Sequence, residues 1–187
     1  MSELKEPSSK KKLSISTRLI HNPGGKCPYT GAVNPPIYFS STFEQKEPGV
    51  PTHRYDYSRT GNPTREVLES TVVDLEEGTC AIAFSSGMAA LSALLTFFKA
   101  GDGIVATEGL YGGTYRLLTK VFPSFGITTQ FVDTSQPQKV KEAFKSGTRA
   151  LLIETPSNPL MRISDIEKLA EIAHERNCLL VVDNTFM

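Results

Sequence analysis

The chain has 187 residues, of which 39% are hydrophobic and 21% charged, values that suit a globular domain with a sizeable core and exclude a fibrous or disordered chain. Twenty Lys plus Arg balance twenty Asp plus Glu, so no net field draws polyanions, and no clustered basic-aromatic surface can be read along the chain; nucleic acid is not expected as the main partner. No segment approaches the roughly twenty apolar residues that span a bilayer, so no membrane association is expected either.

Residues 1–12 are polar and read as a mobile tail. The run Lys10-Lys11-Lys12 is not followed by the apolar core of a secretory signal, and Glu3 and Glu6 argue against a transit peptide, so the expected location is cytoplasmic. Residues 13–62 are rich in Pro, Gly and short polar residues and show no sustained helical period. So long an irregular arm is disordered, is a functional loop, or wraps against another subunit.

From residue 63 to 187 the pattern becomes regular. Asn62 can cap a helix and Pro63 suits its first turn; Val67, Leu68, Thr71, Val72 and Leu75 then share one face before Gly78 stops it. A strand is predicted over 80–84, an apolar helix over 87–99 closed by Gly101, a strand over 104–107 and a helix over 113–122. A strand over 128–132, a helix over 138–145 and a strand over 150–154 follow. Ser164 and Glu167 stand at capping-box spacing before an amphipathic helix whose Ile166, Leu169, Ala170, Ile172 and Ala173 face inward, and 179–182 is the last strand. Strand-helix alternation with short continuous apolar strands implies an α/β fold with a mostly parallel sheet covered by helices on both faces.

Polar and glycine-rich clusters fall at the predicted strand ends, which lie on one edge of a parallel sheet, so they can converge. Ser86-Gly87-Met88 opens an apolar helix, where backbone N–H groups can receive a phosphate; the same glycine also fits a purely steric requirement of the turn. Neither G-x-x-x-x-G-K-[ST] nor a strand followed by G-x-G-x-x-G is present, so a phosphate here belongs to something smaller than a dinucleotide. Arg59 offers a planar fork of donors and Tyr57 a hydroxyl, in a segment that otherwise reads as a surface turn. Tyr111, ahead of two glycines, can stack on a planar ligand, move a proton, or simply pack a turn. Asn158, between Pro156 and Pro159, presents a donor and an acceptor from a rigid loop. Asp183, closing an apolar run, is a strand terminus, a cap, or a buried carboxylate facing a protonated pyridine nitrogen.

Cys27, Cys80 and Cys178 are odd in number and far apart, which suits reduced, mostly buried thiols rather than disulfides. His21, His53 and His174 have no metal-ligand spacing with one another or with the cysteines, and no metal is expected.

Taken together, Tyr57-Ser58-Arg59-Thr60-Gly61-Asn62-Pro63-Thr64-Arg65, Ser85-Ser86-Gly87-Met88-Ala89-Ala90, Tyr111-Gly112-Gly113-Thr114, Glu154-Thr155-Pro156-Ser157-Asn158-Pro159 and Val181-Val182-Asp183-Asn184-Thr185-Phe186 resemble the pyridoxal-phosphate-dependent enzymes of Cys/Met metabolism. That family includes cystathionine γ-lyase, cystathionine β-lyase, cystathionine γ-synthase and methionine γ-lyase. The resemblance implies an aspartate-aminotransferase-like fold and pyridoxal 5'-phosphate as cofactor. It also implies a homotetramer of two active dimers and a small sulfur amino acid as substrate.

By the same resemblance Gly87 and Met88 donate to the cofactor phosphate, and Tyr57 and Arg59 reach the phosphate of a neighbouring subunit, which gives the arm its purpose. Tyr111 stacks on the ring and assists proton transfer, Asp183 pairs with the ring nitrogen, Thr185 supports the ring, and Asn158 lies near the cofactor oxygen and substrate carboxylate. The implied reaction is β- or γ-elimination of a sulfur group from cystathionine or a related amino acid. Cystathionine γ-synthase or O-acylhomoserine sulfhydrylase chemistry is the alternative within the class. A non-catalytic phosphate-ligand or oligomerisation module is the alternative outside it. The family's Schiff-base lysine lies in a Ser-x-Thr-Lys motif that no lysine here matches. The chain is therefore expected either to be a fragment of a longer enzyme, 63–187 being the first part of the cofactor-binding domain, or to be unable to form the Schiff base with the cofactor.

Overall fold

The computed structural model of the chain describes residues 13–21, 26, 27 and 29–187, and contacts divide the chain after Ala83 into two units. The expected tail over residues 1–12 lies outside the described residues.

In the first unit the Ser14 hydroxyl accepts the Thr17 N–H and opens a short helix, α1 (Ile15–Ile20), inside the stretch read as irregular. Six residues are too few to hold a helix by propensity alone. Here Arg18 ties α1 to a later helix through Asp74 at 2.8 Å. A small antiparallel hairpin, β1 (Gln45–Glu47) and β2 (Val50–Pro51), follows.

Helix α2 (Pro63–Glu76) starts where its sequence signals place it, with the Asn62 side chain accepting the Thr64 N–H at 2.9 Å and Pro63 in the first turn. It ends at Glu77, in the left-handed region at φ 52°, with the Gly78 N–H returning to the Val73 carbonyl at 3.0 Å. Its apolar side differs from expectation, since no residue of α2 is buried and Leu68 is 56% exposed. The Asn62 amide also donates to the Tyr38 carbonyl at 3.2 Å and to Ser58 Oγ at 3.0 Å. Asn62→Ala removes both the cap and this tie, and should cost about 1–2 kcal/mol of stability. An unchanged denaturant midpoint in the native protein would contradict that role.

The strand predicted over 80–84 does not form. A strand needs a neighbour for its backbone groups, and the Ala83 N–H bonds instead to Glu69 Oε1 at 2.9 Å; Ile82 is left 70% exposed.

The second unit carries helix α3 (Gly87–Leu95), strand β3 (Gly103–Thr107), helix α4 (Gly112–Arg116), strand β4 (Thr128–Val132) and helix α5 (Pro137–Ala143). Strand β5 (Thr148–Glu154), helix α6 (Ile166–His174) and strand β6 (Leu179–Asp183) complete it. The strands form one wholly parallel sheet in the order β4-β3-β5-β6. Alternate side chains pass to opposite faces. Val105, Val132, Leu151 and Ile153 pack with Val140 of α5 and Leu169, Ile172 and Ala173 of α6. Ile104, Ala106 and Leu152 pack on the other face with Leu95 of α3 and with Leu118 and Phe122. Each buried Val, Leu, Ile or Phe side chain among these contributes about 1.5–3 kcal/mol through removal from water. This is the α/β architecture expected, with both faces covered.

Two local expectations are corrected. The single helix over 113–122 is broken: α4 passes into a π turn at Leu117–Val121 and a 3-10 turn at Phe122–Phe125, where Pro123 lacks the N–H an α-helix would need. Helix α6 is capped by Asp165, whose side chain accepts the Lys168 N–H, while Ser164 is buried and bonds elsewhere, and Ile166 stays 42% exposed. Of the cysteines, Cys27 and Cys178 are buried but Cys80 is exposed. Burial pushes the Cys178 thiol pKa up.

At the amino ends of β3, β4 and β5 the chain turns on glycine. Gly126 and Gly147 sit at φ 75° and 89°, and their carbonyls accept the Gly101 and Gly103 N–H groups at 2.9 Å each. No helix among the described residues is long and apolar enough to cross a membrane.

Candidate cofactor site

The chain leaves β3 for β4 on one side, then returns past β3 to place β5 and β6 on the other. The crevice between the carboxyl ends of β3 and β5 is thus a switch point, where an open α/β sheet holds its ligand. A cavity of about 380 Å³ opens there, a volume within the range of small-molecule sites. Six of the eight residues singled out above line it: Gly87, Met88, Tyr111, Asn158, Asp183 and Thr185.

Ser86 has extended backbone and its hydroxyl accepts the Ala89 N–H at 3.1 Å, which starts α3. The Ala90 N–H bonds to the Ser86 carbonyl, whereas the N–H groups of Gly87 and Met88 have no protein acceptor among the described residues. A Cβ at Gly87 would meet nothing within 4 Å. Two free donors, the positive end of a helix dipole and clear space beside them suit a phosphate.

Tyr111 follows β3 and its N–H donates to Glu154 Oε2 at 2.8 Å. The space above Gly113 is taken by the Tyr111 ring and the Met88 sulfur, which a Cβ there would approach to 2.5 and 2.7 Å. The glycine therefore lets the ring lie against its own helix. Asn158 lies beyond β5 in the loop with cis peptides before Pro156 and Pro159, and its N–H donates to Glu154 Oε1 at 2.8 Å.

Asp183 ends β6 and is half-buried rather than fully buried. Its carbonyl accepts the Thr155 N–H at 3.0 Å, and its Oδ1 accepts both the N–H and the hydroxyl of Thr185, at 3.2 and 2.5 Å. Oδ2 has no protein partner among the described residues.

Behind the cavity floor lies a feature that the sequence reading passed over. The Glu154 N–H bonds to Thr107 Oγ1 at 3.2 Å, Thr107 meets Thr134 at 2.9 Å, and Thr134 meets Ser164 at 2.7 Å. The Ser164 N–H then donates to Thr155 Oγ1 at 3.0 Å, closing a buried polar chain across three strand ends. The available signal was a threonine at the end of, or shortly after, an apolar strand run.

Tyr57 and Arg59 belong to the first unit, so the residues above do not include them. Arg59 lies over the Tyr57 ring at 4.8 Å to its centroid and donates to its hydroxyl. Arg65 holds the turn by donating to the carbonyls of Ser58 at 3.2 Å and Thr60 at 3.1 Å. The Thr60 hydroxyl and Tyr57 N–H on its carboxylate hold Asp56 below the usual carboxylate range. Arg59 itself is exposed.

A helix terminus with free donors, an aromatic face and a carboxylate with one uncommitted oxygen define a domain for a small, planar, phosphorylated and basic ligand, and pyridoxal 5'-phosphate fits that set. The chain belongs to the family of Cys/Met metabolism PLP-dependent enzymes, whose pattern matches residues 16–187. It is 51% identical over 157 residues to cystathionine gamma-lyase of Bacillus subtilis (strain 168), covering 84% of this chain and 41% of that protein. It is 47% identical over 173 residues to cystathionine beta-lyase of Lactococcus lactis subsp. cremoris, covering 92% and 45%. It is 40% identical over 172 residues to cystathionine gamma-synthase/O-acetylhomoserine (thiol)-lyase of Bacillus subtilis (strain 168), covering 92% and 46%. The crystal structure of cystathionine gamma-lyase from Lactobacillus plantarum complexed with L-serine superposes with a TM-score of 0.87 at 42% identity, over 93% of this chain and 45% of that one. The chain thus spans less than half the length of these relatives.

Proposed function

We propose that the protein containing this chain is a PLP-dependent carbon–sulfur lyase that eliminates a sulfur group from cystathionine or a related amino acid. The observation that carries the reading is the meeting, in one cavity, of the free Gly87 and Met88 N–H groups, the Tyr111 ring and the uncommitted Asp183 oxygen. Relatives that are lyases of both the β and γ kind support the reaction class.

Bound there, the cofactor supplies the electron sink that makes a carbon–sulfur bond labile. The Gly87 and Met88 amides bind its phosphate, and the Tyr111 ring covers its face and excludes water from it. The Tyr111 hydroxyl moves a proton at the substrate, and the Asn158 amide orients the substrate carboxylate. Asp183 Oδ2 holds a proton on the ring nitrogen, while Thr185 fixes the other oxygen of that carboxylate. Tyr57 and Arg59 reach the phosphate of a neighbouring subunit in a cytoplasmic homotetramer of two active dimers.

The similarity to a γ-synthase favours a second reading within the class, replacement at the γ-carbon to form cystathionine or homocysteine. Incubating the native protein with pyridoxal 5'-phosphate and cystathionine, then separately with an O-acylhomoserine and a thiol, distinguishes them. Release of a thiol and a 2-oxo acid from cystathionine is expected. Reversible phosphate-ligand binding without either turnover, and without a borohydride-trapped lysine adduct, would instead support a non-catalytic module.

A further inference from the structure

We infer that Glu154 is a positioning residue of the cofactor cradle: its two carboxyl oxygens each accept a backbone N–H from a different loop and thereby set the separation of Tyr111 and Asn158. This rests on the cofactor reading proposed above and names a residue on which the geometry of that site depends.

Glu154 is 4% exposed and lines the cavity at the end of β5. Oε2 takes the Tyr111 N–H and Oε1 the Asn158 N–H, both at 2.8 Å. One loop follows β3 and the other follows β5, so the carboxyl bridges the crevice at the switch point. The bonds are to main chain, so Glu154 governs where the two loops run and leaves the Tyr111 ring and the Asn158 amide free for other contacts. Its own base is held by the chain of hydroxyls through Thr107, Thr134 and Ser164.

The chemistry admits few substitutes. A glutamine offers one acceptor oxygen and would turn its NH₂ toward a second N–H donor, leaving two donors opposed. An aspartate is one methylene shorter and cannot keep both oxygens in reach. Glu154 also sits in register with Asp183 across β5 and β6, so the cavity wall carries two carboxyls. Each Glu154 oxygen already holds a loop amide, whereas Asp183 Oδ2 has no partner among the described residues; the division leaves Asp183 for the ring nitrogen.

Amide hydrogen exchange in the native, cofactor-free protein tests the inference without relying on turnover. In wild type the Tyr111 and Asn158 amides should be protected, and in Glu154→Gln at least one should exchange about ten- to a hundredfold faster, as expected for loss of a charge-assisted bond, with β3 and β5 amides unchanged. In the loaded protein the same variant should weaken cofactor binding, shift the circular dichroism band of the bound cofactor and lower kcat more than it changes KM. A residue that only stabilised the fold would lower the melting midpoint and leave that band alone. Glu154→Asp should resemble Glu154→Gln in exchange. Unprotected Tyr111 and Asn158 amides in wild type would overturn the inference even if no variant folds. So would a folded Glu154→Gln protein with wild-type exchange and cofactor affinity. If wild type binds no cofactor, the function proposed above fails while the exchange result still decides the role of Glu154 in placing the loops.

Discussion

Replacing Asp183 with asparagine in the native protein should lower kcat about a hundred- to a thousandfold, the scale seen when a preorganised electrostatic partner is removed from an active site. The substitution preserves shape. Asparagine keeps one oxygen to accept the Thr185 N–H and hydroxyl, and the backbone bond from Thr155 to the residue 183 carbonyl is untouched. What changes is the second position, where an uncommitted Oδ2 becomes an NH₂ group. An amide there carries no charge with which to hold a proton on a pyridine nitrogen, and its own hydrogens face that nitrogen instead. Because Asp183 is half-buried at a strand end, folding stability should move by no more than about 1 kcal/mol. Near-wild-type kcat in a folded Asp183→Asn protein would remove Asp183 from the role proposed for it.

Gly113→Ala should be the second most damaging change, by a different route. The added Cβ would lie 2.5 Å from Tyr111 Cε1 and 2.7 Å from the Met88 sulfur. Both are side-chain atoms and can swing aside, so the domain should still fold, with a cost of about 1–3 kcal/mol for overpacking. They swing, however, into the space that a cofactor would use, and the loss should be read as at least about a tenfold weaker cofactor affinity, equivalent to roughly 1.4 kcal/mol. Gly112→Ala is the matched control, since its Cβ would meet only the Arg116 guanidinium, at an ordinary 3.6 Å. Equal cofactor affinities for the two variants, measured by titration of the cofactor absorbance, would show that the Tyr111 ring position is not set by Gly113.

The strands were legible because a strand buried on both faces leaves a continuous apolar run. The 104–107 run falls inside β3 (Gly103–Thr107) and the 150–154 run inside β5 (Thr148–Glu154). Tyr111, Asn158 and Asp183 were legible for the same reason: in a parallel sheet, whatever follows a strand arrives at one edge, so order along the chain translates into place. The run at 80–84 misled because apolar character says nothing about whether a neighbour exists to receive its N–H groups. Asp165 displaced Ser164 as the cap of α6 because the Ser164 hydroxyl was already engaged by Thr134, a residue 30 positions away. The double acceptance by Glu154 was equally invisible, since it depends on the register of β3 against β5 and on where two loops bend back.

The two ends of the sheet are built from different materials. Glycine turns closed by backbone bonds, such as Gly126 to Gly101 and Gly147 to Gly103, serve the amino ends of β3, β4 and β5, while the carboxyl end carries the polar side chains that line the cavity. Variation can therefore be partitioned in space. A lineage or a laboratory selection can reshape the loops after β3, β5 and β6 to accept a new ligand while the turns at the far end keep the strands in register. Conversely, stabilising substitutions are best sought among those far turns, where a gain in rigidity has no catalytic loop to stiffen.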